Sequence, residues 1–260
     1  MKNTIRVMMI GDVSGTAGMG ALYLGLSSAV KDRKVDFVIC NGENAAGGFG
    51  ITIDDYNAMK TAGVNVITSG NHIWQKDEIF LIMDRQDDIL RPANYPEPCV
   101  GKGMTIKSVD DVEIAVINAQ GRVGMMATDD PFRKVESLVK NAHKRTPLIF
   151  VDFHAESSEE KEALAFSLDG TVSAVVGTHT HVQTRDERIL PKGTAYITDL
   201  GITGVQNMVI GSDPQKSIER QLTQLPIRSE CAEGKGRIQG VVIEVEKATG
   251  KALSVERFTI

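Results

Sequence analysis

The sequence predicts an α/β fold in which mixed β-sheets are flanked by helices. Two observations predict it. Short apolar, β-branched runs alternate with helix-like segments along most of the chain, and the last 23 residues read as two alternating runs around a turn that ends in glycine. A third observation bears on function: five polar clusters each follow an apolar run directly. In open α/β sheets, ligands bind outside the carboxyl ends of the strands.

The strands are expected at 5–10, 35–40, 64–68, 113–118, 148–153, 173–176 and 194–198, where Val, Ile and Phe are concentrated. Helices are expected at 19–32, 52–62, 76–85, 131–144, 158–167 and 213–223. Thr52-Ile53-Asp54-Asp55 and Ser157-Ser158-Glu159-Glu160 read as helix starts, with a hydroxyl cap and acidic first-turn residues. Residues 238–246 and 251–258, joined by Lys247-Ala248-Thr249-Gly250, read as a closing antiparallel hairpin.

At 260 residues the chain is long enough to bury ~70–75% of its unfolded surface. No Pro/Ser-rich linker, charge block or internal repeat divides it, so residues 1–260 are expected to form one domain. A hydrophobic content of 42% and a charged content of 24% are those of a soluble globular protein. No apolar run approaches the ~20 residues that span a bilayer. Met1-Lys2-Asn3-Thr4 leads straight into a strand, leaving no room for a secretory signal. Cys40, Cys99 and Cys231 are odd in number and widely spaced, which suits reduced, mostly buried thiols in a cytoplasmic protein.

The net charge of −5 argues against an extended nucleic-acid-binding surface. It leaves room for a small phosphorylated substrate, because bound metal ions dominate a local field. Two divalent ions held by two carboxylates leave roughly +2 at the site.

The five clusters are Asp12, Glu43-Asn44, Gly70-Asn71-His72, His154 and Gly177-Thr178-His179-Thr180-His181. They contain four of the five histidines. Asp12 opens a glycine-rich stretch that lacks both the Lys-Ser/Thr of a P-loop and the spacing of a dinucleotide motif. Glu43 has two oxygens and can bridge ions held about 3.5–4 Å apart, and Asn44 adds a neutral oxygen. In Asn71-His72 an amide oxygen can bind metal while the neighbouring imidazole donates a proton. His179 and His181, alternate residues of a segment read as extended, are expected to face one side of the sheet. His154 supplies a further imidazole. His143 sits at a basic helix end and is expected to be exposed. Arg91, Asn94, Arg122 and Arg185 could reach phosphate from loops or serve packing alone.

Taken together, these clusters resemble the calcineurin-like metallophosphoesterase superfamily, and more closely the bacterial YmdB-like family of cyclic-nucleotide phosphodiesterases. Asn41–Ala46, Arg91–Asn94, Phe153–Glu156, Val175–Gln183 and Ile189–Thr198 carry the closer likeness, which runs nearly end to end. The resemblance implies a metallophosphoesterase-type α/β sandwich. It implies one ion held by Asp12, Glu43, Asn44 and His181, and another by Glu43, Asn71, His154 and His179. Iron or manganese is implied; a donor set of nitrogen and oxygen also suits zinc or cobalt.

The chain departs from the wider pattern in three places. Ser14 stands where a histidine is usual, Glu43 replaces an aspartate, and Ile73 follows His72 where an acid is usual, leaving Asp77 and Glu78 as candidates to orient that ring. It departs from the closer family at Ala17-Gly18-Met19, where Pro-Gly-Arg is usual.

The expected activity is hydrolysis of a small phosphodiester, a 2′,3′-cyclic nucleotide, by a hydroxide bridging two ions, with His72 protonating the leaving oxygen. The alternatives are a phosphomonoesterase or protein phosphatase, and a metal-binding regulatory scaffold. No membrane partner is expected; homo-oligomers are compatible with the sequence.

Overall fold

The computed structural model describes residues 2–228 and 230–260. Met1, part of the segment expected to lead into the first strand, lies outside the described residues. The first apolar run forms β1 (Thr4–Ile10), followed by the two-residue β2 (Asp12–Val13), helix α1 (Gly15–Asp32) and β3 (Phe37–Asn41). Next come α2 (Ile53–Ala62), β4 (Val66–Thr68) and the one-turn α3 (Phe80–Met83). A hairpin of β5 (Met104–Val109) and β6 (Val112–Gln120) precedes α4 (Pro131–Ala142), β7 (Ile149–His154), α5 (Ser158–Ser167) and β8 (Ala174–Thr178). Short strands follow: β9 (Arg188–Ile189), β10 (Ala195–Ile197) and β11 (Ile202–Val205). Helix α6 (Pro214–Thr223), β12 (Gly236–Arg237) and the hairpin β13 (Gln239–Glu246) and β14 (Ala252–Thr259) complete the order.

The strands make three sheets, ordered β14-β13-β1-β3-β4, β5-β6-β7-β8-β10-β9 and β12-β11-β2. In the first, β1, β3 and β4 run parallel while β13 and β14 are antiparallel. In the second, β6, β7, β8 and β10 run parallel between two antiparallel edges. Both large sheets are therefore mixed, as the sequence predicts.

Side-chain alternation builds the layers. Ile5, Val7 and Met9 of β1 share a core with Phe37, Ile39, Val116, Phe150 and Val176, which presses the two sheets together. Met8, Ile10, Val38 and Cys40 point the other way, onto Leu22 and Leu26 of α1 and Met59 of α2. On the far side Ile117, Val151 and Phe153 meet Val135 and Val139 of α4 and Leu164 of α5. Each such fully buried side chain contributes about 1.5–3 kcal/mol relative to exposure. A one-residue slip of any central strand would exchange its two faces, so the register is strongly held.

The expected caps are present. Thr52 accepts from the Asp55 amide and Asp55 bonds back to Thr52, closing a capping box, and Ser157 accepts from the Glu160 amide. The helix expected over 76–85 differs: the chain makes two 3₁₀ turns, Ile73–Gln75 and Asp77–Ile79, before α3. No side chain caps any of these three starts. Ile73, Ile79 and Met83 are drawn into the core, and Trp74 stacks on Phe80, so packing outweighs helix propensity over this stretch. Strands β2, β5, β9, β11 and β12 go beyond those the sequence predicts; two-residue strands show no periodicity. No helix among the described residues is long and apolar enough to cross a membrane.

Candidate metal centre

Strands β3 and β4 of the first large sheet and β7 and β8 of the second deliver Glu43, Asn71, His154 and His179 from their carboxyl ends. Asp12 arrives through β2, which pairs with β11 rather than with a large sheet. Glu43 is 1% exposed, and its amide donates to Asn41 Oδ1 at 3.1 Å.

His154, fully buried, is the hub. Its Nε2 lies 3.0 Å from Glu43 Oε1, 3.1 Å from Asn71 Oδ1 and 3.0 Å from His179 Nδ1. One ring nitrogen carries at most one proton and cannot satisfy three such neighbours. Donor atoms of Glu43, His154 and His179 all lie within 4.8 Å of one another, a candidate metal-binding cluster. The outer nitrogen of His179, Nε2, sits 3.2 Å from Glu156 Oε2.

Asp12 and His181 adjoin this cluster. Asp12 Oδ1 is 3.8 Å from His154 Nδ1, and Oδ2 is 3.7 Å from His181 Nε2. Among the described residues, five buried side-chain polar atoms lack a hydrogen-bond partner; three are Asp12 Oδ1, Asn44 Oδ1 and His72 Nδ1. Unpaired buried polar atoms cost about 1–3 kcal/mol each, and their concentration here fits a site that binds something. The amide of Asn44 donates to Gly48 O at 2.8 Å, which turns its oxygen the other way. Glu43, Asn44, His72, His179 and His181 line one cavity of about 430 Å³.

His179 and His181 do not occupy an extended strand, contrary to the expectation from their spacing. Strand β8 stops at Thr178, and both histidines take positive φ, 100° and 63°. Such backbone costs about 1–3 kcal/mol per residue and persists only where surroundings over-determine it. Here the His179 amide donates to Asp12 Oδ2 at 2.9 Å. The Thr180 amide and hydroxyl both donate to Asp199 Oδ2, which is also paired with buried Lys161 at 2.8 Å. The turn points one ring at His154 and the other at Asp12.

The backbone amide of His72 donates to Glu43 Oε2 at 3.2 Å, and its ring meets Phe49 edge-on at 5.0 Å. Neither Asp77 nor Glu78 orients the ring: its Nδ1 has no partner, and Glu78 accepts from the Ile53 amide. Burial lowers the His72 pKa, against the pull of Glu43.

Electrostatics tie the rest together. Burial disfavours a charged His154, but Glu43 and Asp12 outweigh it and hold the ring at about 9. Burial and the neighbouring His154 drop His179 to about 3. Burial raises Asp12 to about 7, while for Glu43 the pull of His154 overcomes burial and lowers it. His179 thus stays neutral, with a lone pair available as a donor.

A family model described as YmdB-like protein matches residues 8–258. The chain belongs to the YmdB-like family. It is 48% identical to the 2′,3′-cyclic-nucleotide 2′-phosphodiesterase of Bacillus subtilis over 98% of this chain and 97% of that protein. The solved structure of a novel phosphatase from Mycoplasma pneumoniae superposes with a TM-score of 0.94 at 34% identity, covering 100% of this chain and 94% of that one. The NAD nucleotidase of Haemophilus influenzae, at 15% identity and a TM-score of 0.62, covers 98% of this chain and 55% of that one and shares the fold alone.

Several side chains of this YmdB-like site escape a reading of the sequence. Phe49, Glu156, Ile210, Arg220 and Cys231 also line the cavity. Glu156 lies in a family-like stretch, but the other four carry no local signal. Cys231, one of three thiols expected to be reduced and mostly buried, is only half-buried, with its Sγ 3.4 Å from Ser14 Oγ. Arg91 instead serves packing, donating to the carbonyls of Pro92, Cys99 and Val100. Asn94 likewise donates to the carbonyls of Gln120 and Asp129. Arg122 pairs with Asp130 at 3.6 Å, and His143 is exposed, its Nε2 2.7 Å from Thr171 O.

Gly70 makes the convergence sterically feasible. A Cβ there would lie 2.1 Å from His154 Cδ2 and 2.3 Å from Glu43 Oε2. Gly70→Ala should therefore displace both donors, weaken metal binding and cost about 1–3 kcal/mol from overpacking. Thermal melts and metal titration of the variant check this; wild-type metal affinity would show that the site tolerates the methyl group.

Proposed function

We propose that this chain is a metal-dependent phosphodiesterase acting on small phosphodiesters, 2′,3′-cyclic nucleotides foremost. The observation that carries the reading is the crowding of Glu43 Oε1, Asn71 Oδ1 and His179 Nδ1 around His154 Nε2, at 3.0–3.1 Å. The relationship to the Bacillus subtilis enzyme supports the substrate class. Residues 1–260 act as a single metallophosphoesterase domain, a reading supported by the core the two large sheets share. Unpaired Cys40, Cys99 and Cys231 support a cytoplasmic setting.

In this reading Asp12, Glu43, Asn44 and His181 hold one divalent ion, and Glu43, Asn71, His154 and His179 the other. Iron or manganese suits these hard and borderline donors. When bound, such ions supply positive charge for the phosphoryl oxygens and a water that ionises near neutral pH. The protein's own groups do the rest. Glu43 presents one oxygen toward His154 and accepts the His72 backbone amide with the other, and in this reading it is the ligand common to both ions. His72 protonates the leaving sugar oxygen, and its lowered pKa makes its protonated form a readier donor.

Rates on a 2′,3′-cyclic nucleotide, a linear diester and a monoester, measured beside elemental analysis, test the proposal. A faster monoester rate would favour a phosphatase, the description carried by the Mycoplasma pneumoniae relative. A protein that binds metal but turns over none of the three would favour a scaffold.

Proton competition gives a second test. Below its pKa of about 9 the His154 ring holds a proton that an ion at Nε2 must displace. Apparent metal affinity should fall about tenfold per pH unit on acidification. The slope should steepen below about 7, where Asp12 also takes up a proton. Calorimetric titrations at pH 6, 7 and 8 in buffers of different ionisation enthalpy count the protons released; a pH-independent affinity would contradict the ligand assignment.

A further inference from the structure

The Nδ1 side of His154 faces a sealed polar network with no exposure to the cavity. Asn41, Thr68, Asp152, His154 and Thr178 are each no more than 2% exposed. The orientation of Asn41 follows from one group that can only donate, and with Asp152 as a carboxylate the remaining bonds run toward it. The Glu43 backbone amide donates to Asn41 Oδ1 at 3.1 Å, which fixes the orientation of that side-chain amide. The other end of Asn41 donates to Asp152 Oδ2 at 3.1 Å and to the Ser69 carbonyl at 3.4 Å, an oxygen that can only accept. The Thr68 hydroxyl donates to the same Asp152 oxygen at 2.5 Å.

Asp152 is thus surrounded by donors, and the Thr178 hydroxyl gives its one proton to Asp152 Oδ1 at 2.7 Å. With that proton committed, Thr178 Oγ1 can only accept from His154 Nδ1, 2.9 Å away. The ring nitrogen facing Thr178 therefore carries a hydrogen, and once the ring is neutral the lone pair belongs to Nε2. The path closes on itself: it starts at the Glu43 amide and ends at His154 Nε2, 3.0 Å from the Glu43 carboxylate.

We infer that Asp152 and Thr178 are positioning residues that lock His154 as the Nδ1–H tautomer and so aim its Nε2 lone pair into the metal centre. The inference rests on the cation-binding reading above. Neither residue lines the cavity; Thr178 meets the imidazole directly, and Asp152 reaches it through Thr178, with a second link through Asn41 to the Glu43 amide. Partners of this kind set ligand orientation and basicity, and their loss typically weakens metal binding about 10- to 100-fold.

The test is zinc binding by the full chain, read by calorimetry, with the ring tautomer read by ¹⁵N-histidine NMR of the diamagnetic zinc-loaded protein. Thr178→Val keeps the side chain's shape and removes the hydroxyl, and should weaken zinc binding about 10- to 100-fold. Thr178→Ser restores the hydroxyl and should bring affinity back to near wild type, a rescue that lost packing alone would not give. Asp152→Asn should weaken binding in the same direction. The wild-type spectrum should show His154 protonated at Nδ1 and coordinated through Nε2, an outcome that needs no variant to fold.

Unchanged affinity in Thr178→Val, or a ring coordinated through Nδ1, overturns the inference while leaving the proposed function standing. A wild-type protein that binds no zinc, iron or manganese overturns the proposed function and this inference with it.

Discussion

Glu43→Ala is expected to strip the protein of metal and abolish turnover. The side chain is 1% exposed, and its two oxygens face different partners, His154 Nε2 and the His72 amide. In the proposed arrangement it is the one group common to both ions. Truncation removes a charge from each coordination set and leaves two buried donors unpaired. Breaking a buried pair by deleting one partner costs about 3–5 kcal/mol of stability, and losing a ligand should lower metal affinity by more than the ~10- to 100-fold typical of losing an outer partner. Elemental analysis after reconstitution, together with cyclic-diester rates, checks both effects. A Glu43→Ala protein that retains two ions per chain would show that Glu43 is not shared between them.

His72→Ala should separate chemistry from metal binding. Its ring packs against Phe49 and lines the cavity, while its backbone amide, not the ring, holds the Glu43 carboxylate. That amide survives the substitution. Metal content should therefore match wild type, while kcat on a substrate with a poor leaving group falls about 10²–10⁴-fold, the usual contribution of a general acid. A substrate with a nitrophenolate leaving group, which needs little protonation, should recover most of the loss. Full activity of His72→Ala on a cyclic nucleotide would remove His72 from the mechanism.

Glu43 and His72 also belong to the part of the site that is legible in the sequence. Asp12, Glu43, Asn71, His154, His179 and His181 are recognisable because each follows a β-branched apolar run, and the structure places donor atoms of all six in one contiguous set of contacts. Asn44 and His72 line the same cavity. The mixed sheets and closing hairpin are equally readable, since strands such as β6 and β13 repeat their pattern over 9 and 8 residues. Sequence reasoning fails where the signal is short or a regular geometry is assumed. Strands β2 and β11 carry no readable period, yet their pairing brings Asp12 into place. The spacing of His179 and His181 predicts an extended segment, whereas Asp199 and Asp12 hold them in a turn of positive φ.

Sequence alone determines the kinds of donor present and their positions at strand ends, because hydrophobic period and capping are local properties that neighbouring residues share. Tertiary structure alone decides which donors meet, which nitrogen of His154 faces the site, and that Glu156, Arg220 and Cys231 wall the cavity. Those outcomes depend on sheet order and on contacts between residues far apart in the chain, such as Thr68 with Asp152 and His179 with Asp12. No local pattern encodes them: a side chain's partner across a sheet is set by register and packing, which exist only once the strands have assembled.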